Sequence, residues 1–415
     1  MCRTTTVLLI AAISFYGIGC SNESDPSVHL NRGIAYHEQK RYDKAIAEYD
    51  RAIQLRPDHA EAFSRRGLAY RHKGEYDLAI ADFDQAIQLQ PDFAIAYHNR
   101  GCAYYHKGQY DQAIADYDNA IHHQPDLAVA YIGRGEAYYH KGQYDQTIAD
   151  CDHAIQLQPN LAVAYNDRGL CYWNKGWYDR AIQDHDRAIQ MQPDYGDAYY
   201  NRGLAYRDKG EYDLAIADYD QSIQLQPSRA DAYCNRGETY CRKGEYDRAI
   251  ADYDRAIQLK PDCAEAYYGR GVPFYCKGEY DRAIVDYDRA IQLKPDYAEV
   301  YTSRGQAFRG KGEYDRAIGD HDKAIQLRPD YAVAYNNRGL AYHKKGHYDR
   351  AIADFDHAIL LQPDLCMAYI NRAIAYLDAG DHSKAWADVK KFRSLGGNPD
   401  PDFIAKLVKA SGRSG

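Results

Sequence analysis

Apolar residues in this chain recur with two periods. Within short stretches they fall at helical spacing. Across the chain the whole pattern repeats every 34 residues. In the segment 230–263, Tyr246, Ala249, Ile250, Tyr253, Ala256, Ile257 and Leu259 lie on one helical face. Ala232, Tyr233, Gly237 and Tyr240 carry the same spacing through its first half. Lys243-Gly244 between the halves reads as a helix stop, with a cation in the last turn and a glycine for the left-handed residue. Pro261 ends the second helix, and the pattern predicts an antiparallel helix pair.

Prolines recur in steps of 34 from Pro57 to Pro363, and glycines do so from Gly33 to Gly339. A fixed period of this length marks a repeat array. The array predicts eleven units over 26–399, namely 26–59, 60–93, 94–127, 128–161, 162–195, 196–229, 230–263, 264–297, 298–331, 332–365 and 366–399. A closing helix and tail are expected over 400–415, with DFIAKLVKA (402–410) as the helix. The residue after each proline, such as Asp58, Asp92 or Asp262, is expected to cap the next helix. An interior helix glycine costs about 1 kcal/mol against alanine. Its recurrence at the eighth position of ten units therefore predicts close packing there. Pro273, inside a predicted helix, is read as a tolerated defect rather than a hinge.

The chain resembles the tetratricopeptide repeat family. The residues that carry the likeness are Tyr233, Gly237, Tyr240, Ala249, Tyr253, Ala256 and Pro261 and their equivalents. The resemblance implies an all-α fold: an α-solenoid wound as a right-handed superhelix, with a concave groove lined by the first helix of each pair. It also implies a non-catalytic protein-binding scaffold. Where the family usually has a large apolar residue before the glycine, this chain has Arg in every unit, from Arg32 to Arg372. An acid follows sixteen residues later each time, from Glu48 to Asp388. Arg236 with Asp252 and Arg270 with Asp286 are thus expected to form rungs of a charge-assisted ladder.

Composition sharpens this picture. Of 42 Tyr, 33 stand at four scaffold positions of the repeat, so the tyrosine richness is mostly packing. The fifth, ninth and twelfth positions differ between units and are expected to line the groove. The candidate binding residues are Ile95, His98, Tyr105, Val129, Ile132, Tyr139, Val163, Asn166, Trp173, Tyr200 and Arg207. An extended peptide or partner helix is the first reading of the occupant. A glycan stacking on Tyr105, Tyr139 and Trp173 is the alternative, and a spacer without ligand is a third. The fifth position never holds Lys and the ninth never Asn, which argues against the family's two-carboxylate clamp. Asp197, Asp231, Glu265 and Glu299 at the second position are expected to act as capping-box acids.

A net charge of −8 gives no global attraction for nucleic acid. No phosphate loop, nucleophile elbow or HExxH pattern occurs, and no enzyme activity, cofactor or metal is expected. The eight cysteines from Cys102 to Cys366 form no CxxC pair and are expected to be buried free thiols. Residues 1–19 have Arg3 followed by a 12-residue apolar run, the layout of a signal peptide. Gly17-Ile18-Gly19-Cys20 resembles a bacterial lipobox, although Gly17 stands where Leu is preferred. This implies lipidation of Cys20, a tether over 20–25, and an exported protein anchored to the outer membrane or cell surface.

Overall fold

The structure, a computed structural model, describes residues 24–412. The leader, Cys20 and the start of the tether lie outside the described residues. Two compact units divide the chain at Glu211 and Tyr212, inside the sixth repeat. The first unit holds α1 (Pro26–Glu38), α2 (Tyr42–Leu55), α3 (Ala60–Lys73), α4 (Tyr76–Leu89), α5 (Ala94–His106), α6 (Tyr110–His123), α7 (Ala128–His140), α8 (Tyr144–Leu157), α9 (Ala162–Asn174), α10 (Tyr178–Met191) and α11 (Gly196–Lys209). The second holds α12 (Tyr212–Leu225), α13 (Ala230–Lys243), α14 (Tyr246–Leu259), α15 (Ala264–Cys276), α16 (Tyr280–Leu293), α17 (Ala298–Gly310), α18 (Tyr314–Leu327), α19 (Ala332–Lys344), α20 (Tyr348–Leu361), α21 (Cys366–Asp378), α22 (His382–Ser394) and the closing helix α23 (Pro401–Ser411). Within each unit consecutive helices pack as hairpins, and the hairpins stack into an α-solenoid.

The interior of each hairpin is built from the repeat's glycine and aromatic residues. A Cβ on Gly101 would lie 3.0 Å from the Tyr117 ring, and one on Gly339 would lie 2.7 Å from Phe355. The glycine therefore makes room for the ring of its partner helix. Tyr117 and Phe355 are fully buried. Gly135 differs, because Cys151 stands where the ring would be. A Cβ on Gly135 meets nothing closer than 3.5 Å. Gly135→Ala is accordingly expected to stabilise the protein by about 0.5–1 kcal/mol through helix propensity, whereas Gly339→Ala destabilises it. Denaturant unfolding of the two variants gives the opposite signs that test this account.

Helix ends depart from the sequence reading in one respect. Gly244 takes the left-handed conformation at φ +79° and closes α13, as the Lys-Gly pair implies. The residue after each proline, however, is not the N-cap. At the end of the second repeat the Phe93 amide donates to the Gln90 carbonyl at 3.1 Å, closing a turn with Pro91 and Asp92 at its centre. Phe93 is the N-cap of α5 and offers no side-chain cap bond. His59 and Leu127 do the same for α3 and α7. Asp58, Asp92 and Asp126 are thus turn residues, held away from the amides they were expected to cap. Helix α15 runs through Pro273 without a break.

Candidate functional site

Arginine at the seventh position organises each junction. Arg100 donates from Nε and Nη2 to both oxygens of Asp116, at 2.8 and 2.6 Å. Its Nη1 bonds Asp84 of the preceding hairpin at 2.5 Å. Arg236 holds Asp252 at 2.8 and 2.6 Å and also bonds Asp220. Arg270 holds Asp286 at 2.8 and 2.6 Å and bonds Asp254 at 2.5 Å. One guanidinium therefore joins three helices, its own and the second helices of two successive hairpins. The aromatic residue one turn earlier covers its face, as Tyr97 does at 5.5 Å from Arg100. A second ladder runs outside it, with Lys107 on Asp77 and Lys277 on Asp247, each at 2.6 Å. Sequence reasoning missed the second aspartate because it precedes the arginine by sixteen residues and belongs to the preceding hairpin.

These ladders hold the first helices side by side and leave their variable positions to shape the surface. In the second unit several of those positions line a half-open cavity of about 640 Å³. Cys234 and Cys241 of α13 line one side, and Tyr268, Gly269 and Val272 of α15 line the other. Tyr297 closes one end, its ring 5.4 Å from that of Tyr268 and tilted by 54°. Gly269 in this wall stands where six other repeats carry Asn, and Tyr253 fills the space beside it. A Cβ there would press on the Tyr253 ring at 2.5 Å. The lining acids carry cations: Asp231 pairs with Arg229 at 2.9 Å, Glu238 with Arg242 at 2.7 Å and Glu265 with Lys294 at 3.7 Å. Burial pushes the Cys234 and Cys241 thiols up to about 12, which keeps them neutral at pH 7. It likewise pushes the Tyr297 hydroxyl up to about 12. The walls are therefore aromatic and sulfur-rich, with Lys260 and the three paired acids also lining the cavity. Such a cavity suits an apolar or aromatic side chain.

The residues chosen from sequence lie in the first unit and do not form one open groove. Tyr105 is buried, its ring covered by Tyr110 and His140 at 5.7 and 5.4 Å. Ile132 is buried against Ala128, Ala154, Leu161 and Ala164. Asn166 is buried and accepts from Asn201 at 3.0 Å. Tyr105, Ile132 and Asn166 are thus corrected from groove to junction residues: Ile132 and Asn166 stand at fifth positions, most of which are buried, and Tyr105 stands at a twelfth position under His140 of the next repeat. His98 packs on Tyr117 at 5.6 Å. Tyr139 is half-buried and accepts from Asn174 at 3.1 Å. Trp173 and Arg207 converge on Asp208, at 2.9 and 2.8 Å. Val129, Val163 and Tyr200 are half-buried, and Ile95 is exposed.

Two further expectations change. Glu299 accepts from its own amide in the first turn of α17 and also bonds Arg328, from the end of the following helix. Glu265 meets Lys294 in the same way. The second-position acids of these two repeats therefore tie hairpin ends together. Of the eight cysteines only Cys102, Cys151 and Cys171 are buried, and Cys276 is exposed. The cavity residues Gly269, Val272 and Tyr297 were not singled out from sequence. The one available signal was the loss of Asn at position 269.

Comparison with known proteins agrees with this architecture. Family models described as TPR repeat match residues 33–72, 67–108, 203–244, 273–311 and 305–346. Tetratricopeptide repeat models match 94–127, 128–161, 230–263 and 332–365, with further matches at 162–195 and 186–217. The chain belongs to the tetratricopeptide repeat family, whose members are as a rule non-catalytic scaffolds for protein–protein interaction. Among solved structures it is similar to the APC/C hetero-tetramer Cut9–Hcn1, at 14% identity over 94% of this chain and 96% of that one, with a TM-score of 0.53. A tetratricopeptide repeat protein from Parabacteroides merdae is 21% identical over 61% of this chain and 99% of its own, with a TM-score of 0.50. MamA is 33% identical over 39% of this chain and 94% of its own, with a TM-score of 0.36. No curated protein matches.

Proposed function

We propose that the protein is a membrane-tethered scaffold that binds an extended peptide or partner helix along its first-helix face, assembling a complex in the cell envelope. The cavity between α13 and α15 is its anchor point for an apolar side chain. The supporting observation is that several positions which vary between repeats, on a scaffold that does not, line this half-open cavity. Its aromatic lining fits a buried anchor residue, the kind that carries most interface energy. Export and anchoring rest on the leader over 1–19 and the lipobox-like run ending at Cys20.

Panning a displayed library of random peptides against the purified protein is the test. Enriched peptides are expected to share one aromatic or branched apolar residue. Their affinity is expected to fall at least about tenfold in a Val272→Trp variant that fills the cavity, or in Tyr268→Ala, a loss of about 1.4 kcal/mol. Enrichment that ignores both substitutions would remove the cavity from the function. Labelling cells with a radioactive fatty acid, with and without Cys20→Ser, tests the tether.

A further inference from the structure

The twelfth position of one repeat meets the thirteenth of the next, 35 residues on. This register recurs within both units. Asn174 donates to the Tyr139 hydroxyl at 3.1 Å, and the Trp173 indole donates to Asp208 at 2.9 Å. The rings of His37 and His72 lie 5.1 Å apart and those of Tyr105 and His140 5.4 Å apart. In the second unit His343 bonds Asp378 at 2.8 Å. Cys241 and Cys276 occupy this same register on α13 and α15. The thirteenth position also touches the seventeenth of the preceding repeat, as in the stacks of Tyr76 on His106 and Tyr110 on His140. Cys276 accordingly interacts with Tyr246.

We propose that Cys241 and Cys276 form an oxidisable dithiol that can close into a disulfide bridging α13 and α15 at the side of the cavity. Helix axes that pack 8–10 Å apart leave about 3.4–5.4 Å between Cα atoms on their facing sides, because each Cα stands about 2.3 Å from its axis. That separation overlaps the range a disulfide spans. Most other residues in this register are long and meet by their tips, whereas here both are short.

The two sulfurs also differ in a way that orders the chemistry. Cys276 is exposed at the last turn of α15, whereas Cys241 is half-buried in the cavity wall. With oxidised glutathione as the disulfide oxidant, the Cys276 thiolate attacks one glutathione sulfur, and the first glutathione thiolate leaves. Cys241 loses its proton and attacks the Cys276 sulfur of the mixed disulfide, and the second glutathione leaves. Two protein thiols are oxidised and one glutathione disulfide is reduced to two thiols. The other two thiols of this region, Cys234 and Cys263, line the cavity but do not stand in the 35-residue register. The inference does not depend on the peptide-binding reading.

The test exposes the reduced full-length protein to oxidised glutathione and follows intact mass and peptide maps. The expected product has lost two hydrogens and yields one cross-linked peptide containing Cys241 and Cys276. Cys241→Ser is expected to stop at a single glutathione adduct on Cys276. Hydrogen exchange in α13 and α15 is expected to slow in the bridged form. A stable glutathione adduct on Cys276 of the wild-type protein, a bridge to Cys234 or Cys263 instead, or no reaction at Cys276 would each overturn the proposal.

Discussion

Replacing Arg100 by methionine is expected to destabilise its part of the solenoid by about 3–5 kcal/mol. Asp116 is 4% exposed and receives both of its guanidinium bonds from this one side chain. The carboxylates in turn hold the Arg100 guanidinium more firmly protonated than usual. Burial works against the pair and holds the Asp116 carboxyl above its ordinary range. The net worth of the intact pair is therefore modest, and its loss is costly mainly because one buried charge remains. Two consequences separate this account from simple loss of packing. Protonation relieves the stranded carboxylate, so the difference between variant and wild type shrinks as pH falls through the raised pKa of Asp116. The double variant Arg100→Met, Asp116→Leu removes both charges and is expected to regain most of the stability. Stability in a repeat array is a sum of local terms, so hydrogen exchange in α4, α5 and α6, the helices Arg100 joins, should report the loss most directly. A double variant no more stable than Arg100→Met would contradict the reading.

Acid is expected to open the protein through two histidines. His185 of α10 and His321 of α18 stand at the position that holds Tyr or Phe in seven other repeats. Each is fully buried, and neither ring nitrogen of either residue has a hydrogen-bond partner. A Cβ on Gly169 would lie 2.8 Å from the His185 ring, and one on Gly305 would lie 2.7 Å from His321. Burial, assisted by Arg202 at the first and by Arg309 and Arg338 at the second, lowers both histidines from 6.5 to about 3. The folded protein thus keeps these rings neutral, while the unfolded chain protonates them near pH 6.5. Below that pH the unfolded state binds more protons, and stability falls on acidification until about pH 3. The slope is about 1.4 kcal/mol per pH unit for each histidine. At pH 5 the pair therefore costs about 4 kcal/mol relative to neutral pH. His185→Phe uses the residue that Phe83 and Phe355 show to fit. It is expected to change stability little at pH 7.5 and to remove about half of this loss. Burial also raises ladder carboxylates such as Asp116 and Asp184, so the difference between variant and wild type is the quantity to follow. Equal pH slopes would show that the histidines play no part.

Periodicity alone carried the architecture. The 34-residue step, the Gly and aromatic spacing and the Lys-Gly stops were enough for helix hairpins, because each is a local constraint that recurs along the chain. The rung from Arg236 to Asp252 was also legible, since both residues recur at a constant offset. What remained hidden depends on how one hairpin meets the next. Asp92 looks like a helix cap until the turn at Pro91 moves the helix start past it. Tyr105, Ile132 and Asn166 look like groove residues until the stacking of hairpins covers them. The cavity at Tyr268 and Val272 is lined by Gly269 and by Tyr253 of the previous hairpin, a juxtaposition that only the stacking of hairpins produces. Sequence determined what recurs within a repeat, because helix period, turn chemistry and small-residue packing are short-range. Only the tertiary structure decided which non-repeating side chains are covered and which stand open, because that follows from the register between neighbouring hairpins.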